Sequence, residues 1–472
     1  MTHYRLPPLV EARVGRFLAT AAVEEAVERF GSPVHVLFPQ VFERNLEALR
    51  AVLDERRLPH RICYAHKANQ ARAFVAAARR ADIGIDVASL GELDAAVAAG
   101  FAPERIEATG PKGEPLLRVL VAAGVTINVD NLWELETIRK LKAEHPVGAD
   151  TPVLLRLSGF DPPTPGRPVS RFGIGVPEVD AALSVAALPE SRINLRGLAF
   201  HLDSGDAGER VRAFETCLDV LTRAYERGLR PDILNIGGGL RQAFSADPEQ
   251  FHRYVRALLD GLNGNGPPLG WPGHLFGWTP RAGRYAGTPS FHKYGNDVGG
   301  PAFLAGVLDS PAADGSTPAA TLRDALLTLW IEPGKALLDH AGITIATVEF
   351  TKQLTDGSTV VNLDIGRDSI TPVDQEVMLD PVVLHRHADA AYRPCPAGVF
   401  LGGRLCLERD LIARHRLFPD RLPLPGDRVV FVNTAAYQMD LSAAAASGHP
   451  TVPKIVAAES SGRFILEPDT AV

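Results

Sequence analysis

From Phe42 to Glu332 short apolar runs alternate with stretches whose apolar residues recur at helical spacing, and this alternation constrains the fold more than any other feature of the chain. The strand-like runs are Arg61–Ala65, Ile83–Asp86, Ile106–Thr109, Thr126–Asp130, Pro152–Leu157, Arg196–His201, Ile233–Ile236 and Leu327–Ile331. Around and between them Phe42–Glu55, Leu90–Ala99, Leu116–Ala123, Leu132–Leu141 and Glu209–Glu226 read as helices. Eight strands separated by helices predict an α/β protein, a closed parallel (β/α)8 TIM barrel rather than an open sheet. After Gly342 the pattern changes. Ile343–Thr351, Thr359–Asp364, Gly398–Leu401, Arg428–Asn433 and Arg463–Leu466 show period-two runs bounded by turn residues, which predicts a mainly antiparallel C-terminal β domain.

The expected organisation is a barrel over 37–342 and a β domain over 343–472, with residues 1–36 too short to fold alone and joining that β domain. The stretch 261–321 is rich in Gly, Pro and Trp, shows no clear period, and is expected as an insertion in the barrel beside its mouth. With 472 residues, 46% of them hydrophobic, the chain has material for more than one core. Charged residues at 22%, and glycines and prolines without a period, exclude collagen-like, coiled-coil and disordered classes. A net charge of -7 disfavours nucleic acid as a partner and leaves small-molecule chemistry as the expectation. The cysteines Cys63, Cys217, Cys395 and Cys406 form no CxxC pair and fit a reduced thiol set. Residues 1–16 lack the unbroken apolar stretch of a signal peptide, and no run is long enough for a bilayer, so a cytoplasmic location without a membrane partner is expected.

Polar residues stand where the barrel strands stop: Lys67, Asp86, Asp130, Arg156, His201, the run Gly237, Gly238, Gly239, and Glu332. The C-terminal strand ends of such a barrel surround one cavity, so these are candidate site residues, although strand ends are also polar because they meet water. Lys67 follows an apolar strand, where desolvation favours a neutral, nucleophilic amine able to form a Schiff base. The glycine run lets backbone amides approach an anion closely, and a phosphate site after strands seven and eight is common in this architecture. Glu332 brings a carboxylate to the mouth and Lys335 a cation to the same loop; a helix start would explain Pro333 and the acid equally well. Cys406 and Tyr437 lie in the β domain, the first a proton donor if it reaches a substrate, the second a phosphate donor if it reaches the mouth, and both otherwise packed residues.

Taken in order, Tyr64 to Asn69, Asp86-Val87-Ala88-Ser89 with Gly91-Glu92, Ser170-Arg171-Phe172-Gly173, His201 with Ser204, Gly237 to Gly239, Glu332 to Lys335, Asp364 with Gly366, Gly403 to Asp410 and Ala436-Tyr437 resemble the barrel-type (fold type III) pyridoxal phosphate decarboxylases, among them the diaminopimelate, ornithine and arginine decarboxylases. The resemblance implies an alanine racemase-like barrel binding pyridoxal 5'-phosphate and an enzyme removing the α-carboxylate of an amino acid or a derivative of one. It implies that Lys67 carries the internal aldimine, His201 stacks on the pyridine ring and Glu332 pairs with its nitrogen. Ser204, the glycine turn with the backbone of Gly238, Lys335 and Tyr437 are implied to hold the phosphate; Asp86 and Arg156, polar residues at strand ends of the same mouth, are expected to complete the cofactor set. It also implies a head-to-tail homodimer with shared sites, in which Cys406 enters from the second chain and protonates Cα.

Departures from the family pattern bear on the substrate, the family's Arg being Lys335 here and a Gly of the histidine block being Asp203. Arg404 replaces a Pro of the cysteine block, and Leu407 stands where ornithine and diaminopimelate enzymes carry an acid. A distal ammonium would go uncompensated there unless Glu408 took over, so the expected substrate is neither ornithine nor diaminopimelate, and Arg404, Leu407 and Glu408 are its candidate contacts. The alternatives are a racemase or epimerase on the same barrel, against which Glu332 argues, and a noncatalytic homologue that binds a partner protein. A metal enzyme using His385 and His387 is the last; no metal is expected.

Overall fold

A computed structural model describes residues 4–144, 148–161, 169–370, 378–386, 393–442 and 445–470. Its chain divides into two compact units. One is the expected barrel. The strands β1 (His60–Ala65), β2 (Gly84–Val87), β3 (Ile106–Ala108), β4 (Thr126–Val129), β5 (Thr151–Ser158), β6 (Ile193–Ala199), β7 (Ile233–Asn235) and β8 (Thr328–Ile331) pair in sequence order, every pairing parallel. β8 pairs back onto β1, with Leu329 opposite His60, and closes the ring. Ile85, Ile127, Val129, Leu154, Leu155, Leu198, Leu234 and Leu329 are fully buried. Such near-continuous apolar strands are what parallel pairing under a coat of helices requires. Burying each of these side chains contributes roughly 1.5–3 kcal/mol, before the entropy of ordering is subtracted.

Local signals start the helices that follow β2 and β4 and thereby fix those strand ends. Ser89 Oγ accepts from Glu92 N at 3.2 Å while the Glu92 carboxylate accepts from Ala88 N at 2.7 Å. The device recurs after β4, where Asn131 Oδ1 accepts from Glu134 N at 3.0 Å and Glu134 accepts from Asp130 N at 3.0 Å. In both places a side chain caps the helix and an acid one turn in reaches back to the strand end. Glu134 also meets Lys112 Nζ at 3.0 Å, a buried ion pair joining the loop after β3 to the helix after β4.

The other unit contains residues 1–42, 241–299 and 338–471. Its nine-stranded sheet runs Leu411–Leu417, Val399–Gly402, Thr359–Leu363, Gly342–Gln353, Val34–Leu37, Lys454–Ser460 and Arg463–Pro468, with Arg428–Phe431 branching from the long strand and Val382–Leu384 pairing onto that branch. Most pairings are antiparallel; Val34–Leu37 with Lys454–Ser460 and Thr359–Leu363 with Val399–Gly402 are parallel. Val34–Leu37 lies antiparallel against Gly342–Ile345, so the opening segment supplies a strand to this sheet.

The aperiodic stretch 261–321 is divided between the units. Residues up to 299 group with the sheet, where helix Pro248–Leu262 and the aromatics Phe276, Trp278, Phe291 and Tyr294 share a core. Helices Gly300–Asp309 and Pro318–Asp324 belong with the barrel. Aromatic rings at irregular spacing carry no periodic signal, yet they bury large areas once a second element faces them. Among the described residues no helix is long and apolar enough to cross a membrane.

Candidate active site

Lys67 sits in a single turn, His66–Ala68, directly after β1. Tyr64 Oη donates to Asn69 O at 2.9 Å and Asn69 Oδ1 accepts from Ala71 N at 2.8 Å, which pins both sides of that turn. The lysine amine donates to Asp86 Oδ2 at 2.9 Å, at the end of β2, and lies 3.4 Å from Thr109 Oγ1, just past β3. The Thr109 hydroxyl donates to the other oxygen of Asp86. Asp86 is buried, whereas about a third of the Lys67 side chain, 35%, is exposed. The amine is therefore anchored on Asp86 while part of the lysine side chain reaches the surface.

Glu332 follows β8 and is 5% exposed. Its turn lies against that of Lys67: Ala65 N donates to Pro333 O at 3.4 Å, and a Cβ on Gly334 would stand 2.8 Å from that of Ala68. Only glycine permits this approach. Asn235 Nδ2 donates to Glu332 Oε1 at 2.7 Å. Burial, with Asp86 nearby, raises the Glu332 carboxyl to about 7, against the opposing pull of Lys67 and Arg156.

The glycine run closes the site on the β6–β7 side. Gly237 and Gly239 both adopt φ of 69°, and a Cβ on Gly238 would strike the carbonyl of Glu332. Gly237 N donates to Asn235 Oδ1 at 2.8 Å and Gly238 N to His201 Nδ1 at 3.2 Å. The Gly238 amide, expected to face phosphate, is thus engaged with His201. Because Nδ1 accepts, the ring proton lies on Nε2, and burial together with Lys67 and Arg156 lowers the imidazole to about 3, so the ring is neutral. Beneath the turn the buried Arg210 guanidinium binds three carbonyls, those of Leu202, Ile236 at 3.2 Å and Gly238 at 2.6 Å.

The remaining barrel candidates are each engaged. Lys335 Nζ meets Asp203 Oδ1 at 2.6 Å, so two departures from the family pattern pair with each other. Ser204 Oγ donates to Glu209. Arg156 stands 3.7 Å from Asp130 with its guanidinium 4.8 Å from the centre of the Phe172 ring.

Cys406, Arg404, Leu407, Glu408 and Tyr437 belong to the sheet unit. The first four lie on the loop between strands Val399–Gly402 and Leu411–Leu417, shaped by Asp410, whose carboxylate accepts from Leu405 N and Arg367 N, each at 2.6 Å. Cys406, Leu407 and Glu408 are exposed, and Arg404 donates to Pro450 O at 3.3 Å. Tyr437 holds φ of 66°, a left-handed conformation costly for an aromatic residue. His385 Nδ1 is bound to Asp427 at 2.7 Å, and His387 lies outside the described residues.

Sequence reasoning passed over Thr109, Arg210 and three polar residues inside barrel strands. Asn235 is one; Glu107 and Asn128 are the others, and Glu107 accepts from Asn128 Nδ2 at 3.0 Å and Asn235 Nδ2 at 2.8 Å. A signal was present, since each interrupts an apolar run: Ile106-Glu107-Ala108, Ile127-Asn128-Val129 and Leu234-Asn235-Ile236. Arg210 and Thr109 carried none, one being a charged residue within a helix and the other a hydroxyl past a strand end.

A partly exposed lysine anchored on Asp86, at the same barrel face as the buried Glu332, suits a cofactor that is an aldehyde at one end and a ring base at the other. Among the described residues no lysine or arginine forms an ion pair with Glu332, so its carboxyl lacks the cation that a protonated ring nitrogen would provide. The donor set fits pyridoxal phosphate. Comparison with known proteins bears on the same point: the family "Pyridoxal-dependent decarboxylase, pyridoxal binding domain" matches residues 40–269. An uncharacterized protein, y4yA, of Sinorhizobium fredii is 32% identical over 98% of this chain and 97% of its own length. Diaminopimelate decarboxylase of Pseudomonas aeruginosa is 25% identical over 90% of this chain and 88% of its own length. Among solved structures, diaminopimelate decarboxylase from Helicobacter pylori complexed with L-lysine has the same fold, with TM-score 0.66 at 17% identity, covering 94% of this chain and 95% of that one. Lysine/ornithine decarboxylase from Vibrio vulnificus complexed with putrescine gives TM-score 0.65 at 21% identity, covering 95% and 99%. The chain belongs to the pyridoxal-dependent amino-acid decarboxylases, enzymes whose cofactor is pyridoxal phosphate.

Proposed function

We propose that the protein removes the α-carboxylate of an amino acid other than ornithine or diaminopimelate, as a homodimer whose sites combine residues of two chains. The observation that carries the reading is the Lys67 amine held on Asp86 at the same barrel face as the Glu332 carboxyl and the glycine turn. Bound pyridoxal phosphate supplies an electron-accepting ring that takes up the electron pair left by a departing carboxylate. Lys67 would hold that cofactor through its amine, kept in place by Asp86 and Thr109. Glu332, as a carboxylate, holds a proton on the ring nitrogen, and this acid at β8 favours a decarboxylase over a racemase. A neutral His201 offers a flat face without added charge.

Ser204, Lys335, Tyr437 and the glycine turn hold the phosphate, the Gly238 amide exchanging His201 for the anion, with Arg210 keeping the turn rigid beneath it. Lys335 shares its charge with Asp203, so the phosphate meets a partly neutralised cation. Cys406 of a second chain donates a proton to the α-carbon after CO2 leaves, replacing the lost C–C bond by C–H. The exposed Leu407 presents an apolar surface where a distal ammonium would need an acid, which supports a neutral or anionic side chain on the substrate.

The test is incubation of the purified protein with pyridoxal phosphate and a panel of L- and D-amino acids, following CO2 and amine by mass spectrometry. One substrate with a neutral or anionic side chain should release both, and Lys67→Ala should lose the visible absorbance of bound cofactor along with turnover. Inversion at Cα without CO2, or ornithine as the substrate of highest kcat/KM, would contradict the reading.

A further inference from the structure

Glu107, on β3, is fully enclosed in the barrel and touches none of the groups given a role above except through Asn235. Its Oε1 accepts from Asn128 Nδ2 at 3.0 Å and from Asn235 Nδ2 at 2.8 Å, and its Oε2 lies 3.1 Å from the same Asn235 nitrogen. Both N–H donors of the Asn235 amide are used, since Nδ2 also donates to Glu332 Oε1 at 2.7 Å, and Oδ1 accepts from Gly237 N at 2.8 Å. One amide therefore ties the Glu332 carboxyl to the glycine turn, and Glu107 is the third point that fixes its plane.

We propose that Glu107 is a positioning residue of the cofactor site, which by bracing the Asn235 amide sets the Glu332 carboxyl and the glycine turn in a single arrangement. The inference rests on the reading of Glu332 as the partner of the ring nitrogen and of the turn as part of the phosphate seat, and deepens it. Among the described residues no lysine or arginine pairs with Glu107. Burial first, then Glu332 and Asp86, push its carboxyl well above the usual range, against the pull of the Asn128 and Asn235 hydrogen bonds. Two carboxyls joined by one amide in a dry interior do not both ionise, so the pair carries one negative charge between them. Glu107 acts through reach and hydrogen bonding rather than through charge. Glutamine has that reach; aspartate, one methylene shorter, does not span from β3 to both amides.

The experiment compares wild-type protein with Glu107→Gln and Glu107→Asp. It reads the Kd for pyridoxal phosphate and the pH midpoint of the visible band of the bound cofactor, with circular dichroism as the check on folding. Glu107→Asp should weaken binding by about tenfold or more, the loss expected when a hydrogen bond to a charged group is misplaced. It should also move the pH midpoint, because Glu332 then meets the ring nitrogen differently. Glu107→Gln should restore both to near the wild-type values. Wild-type values in Glu107→Asp, or damage in Glu107→Gln equal to that in Glu107→Asp, would overturn the inference. Should Glu107→Asp not fold, Asn235→Asp removes the bridging donors at constant volume; the same losses are expected there, and wild-type values would again overturn it. A wild-type protein that binds no pyridoxal phosphate instead removes the functional reading beneath.

Discussion

Glu332 is the residue at which burial bears most directly on the proposed function. Its carboxyl is raised to about 7 in the folded chain, against 4.5 ordinarily. As pH climbs through that window the unfolded chain ionises first, so folded-state stability contributed by the protonated form is present below about 4.5 and is lost as pH rises through 7. The shift corresponds to a loss on the order of 3 kcal/mol across the window. Cofactor-free wild-type protein should therefore be less stable at pH 8 than at pH 5 relative to Glu332→Gln, which has no proton to lose. Chemical denaturation of both proteins at the two pH values measures this, and parallel stabilities would refute it. Under the proposed pairing of Glu332 with the ring nitrogen, a bound cofactor would favour the carboxylate, so added cofactor should narrow the gap at pH 8.

At the scale of elements, the site depends on how strand ends are tied to the loops beyond them. After β2 and β4 the ties are local: the Ser89 and Glu92 pair, and the Asn131 and Glu134 pair, are spaced as helix starts and can be read from the sequence. After β6 and β7 the tie is Arg210, whose guanidinium reaches the carbonyls of Leu202, Ile236 and Gly238 from the following helix. Arg210→Met keeps most of the volume but leaves buried carbonyls without a donor, each worth about 1–3 kcal/mol. We expect a lower melting temperature together with weakened pyridoxal phosphate binding. Arg210→Lys should recover part of the stability, since the charge is kept and the planar fork is lost. Calorimetry with a cofactor titration separates the two effects; unchanged cofactor affinity in Arg210→Met would show that the turn does not need its clamp.

At the scale of the molecule, the proposed sharing of sites makes a quantitative prediction. Lys67→Ala and Cys406→Ser would each be inactive alone, yet mixing and reassociating them in equal amounts should restore about one quarter of wild-type activity, because half the dimers are mixed and each has one intact site. No recovery under conditions of subunit exchange would place both residues in the same chain's site. The barrel was legible because its eight strands are short apolar runs separated by helical stretches and turn signals, and the positions of Lys67, His201 and Glu332 at strand ends were legible for the same reason. The strand Leu411–Leu417 was not, since Arg414, His415 and Arg416 disguise its alternation, and His415 is buried all the same. Sequence alone determined the order of the elements and which side chains stand at their ends, because periodicity and turn chemistry act over a few neighbouring residues. Only the tertiary structure decided that Glu107 and Asn235, 128 positions apart, share a hydrogen bond, or that Asp203 meets Lys335. Those pairings arise from ring closure, which brings distant strands side by side and excludes water between them.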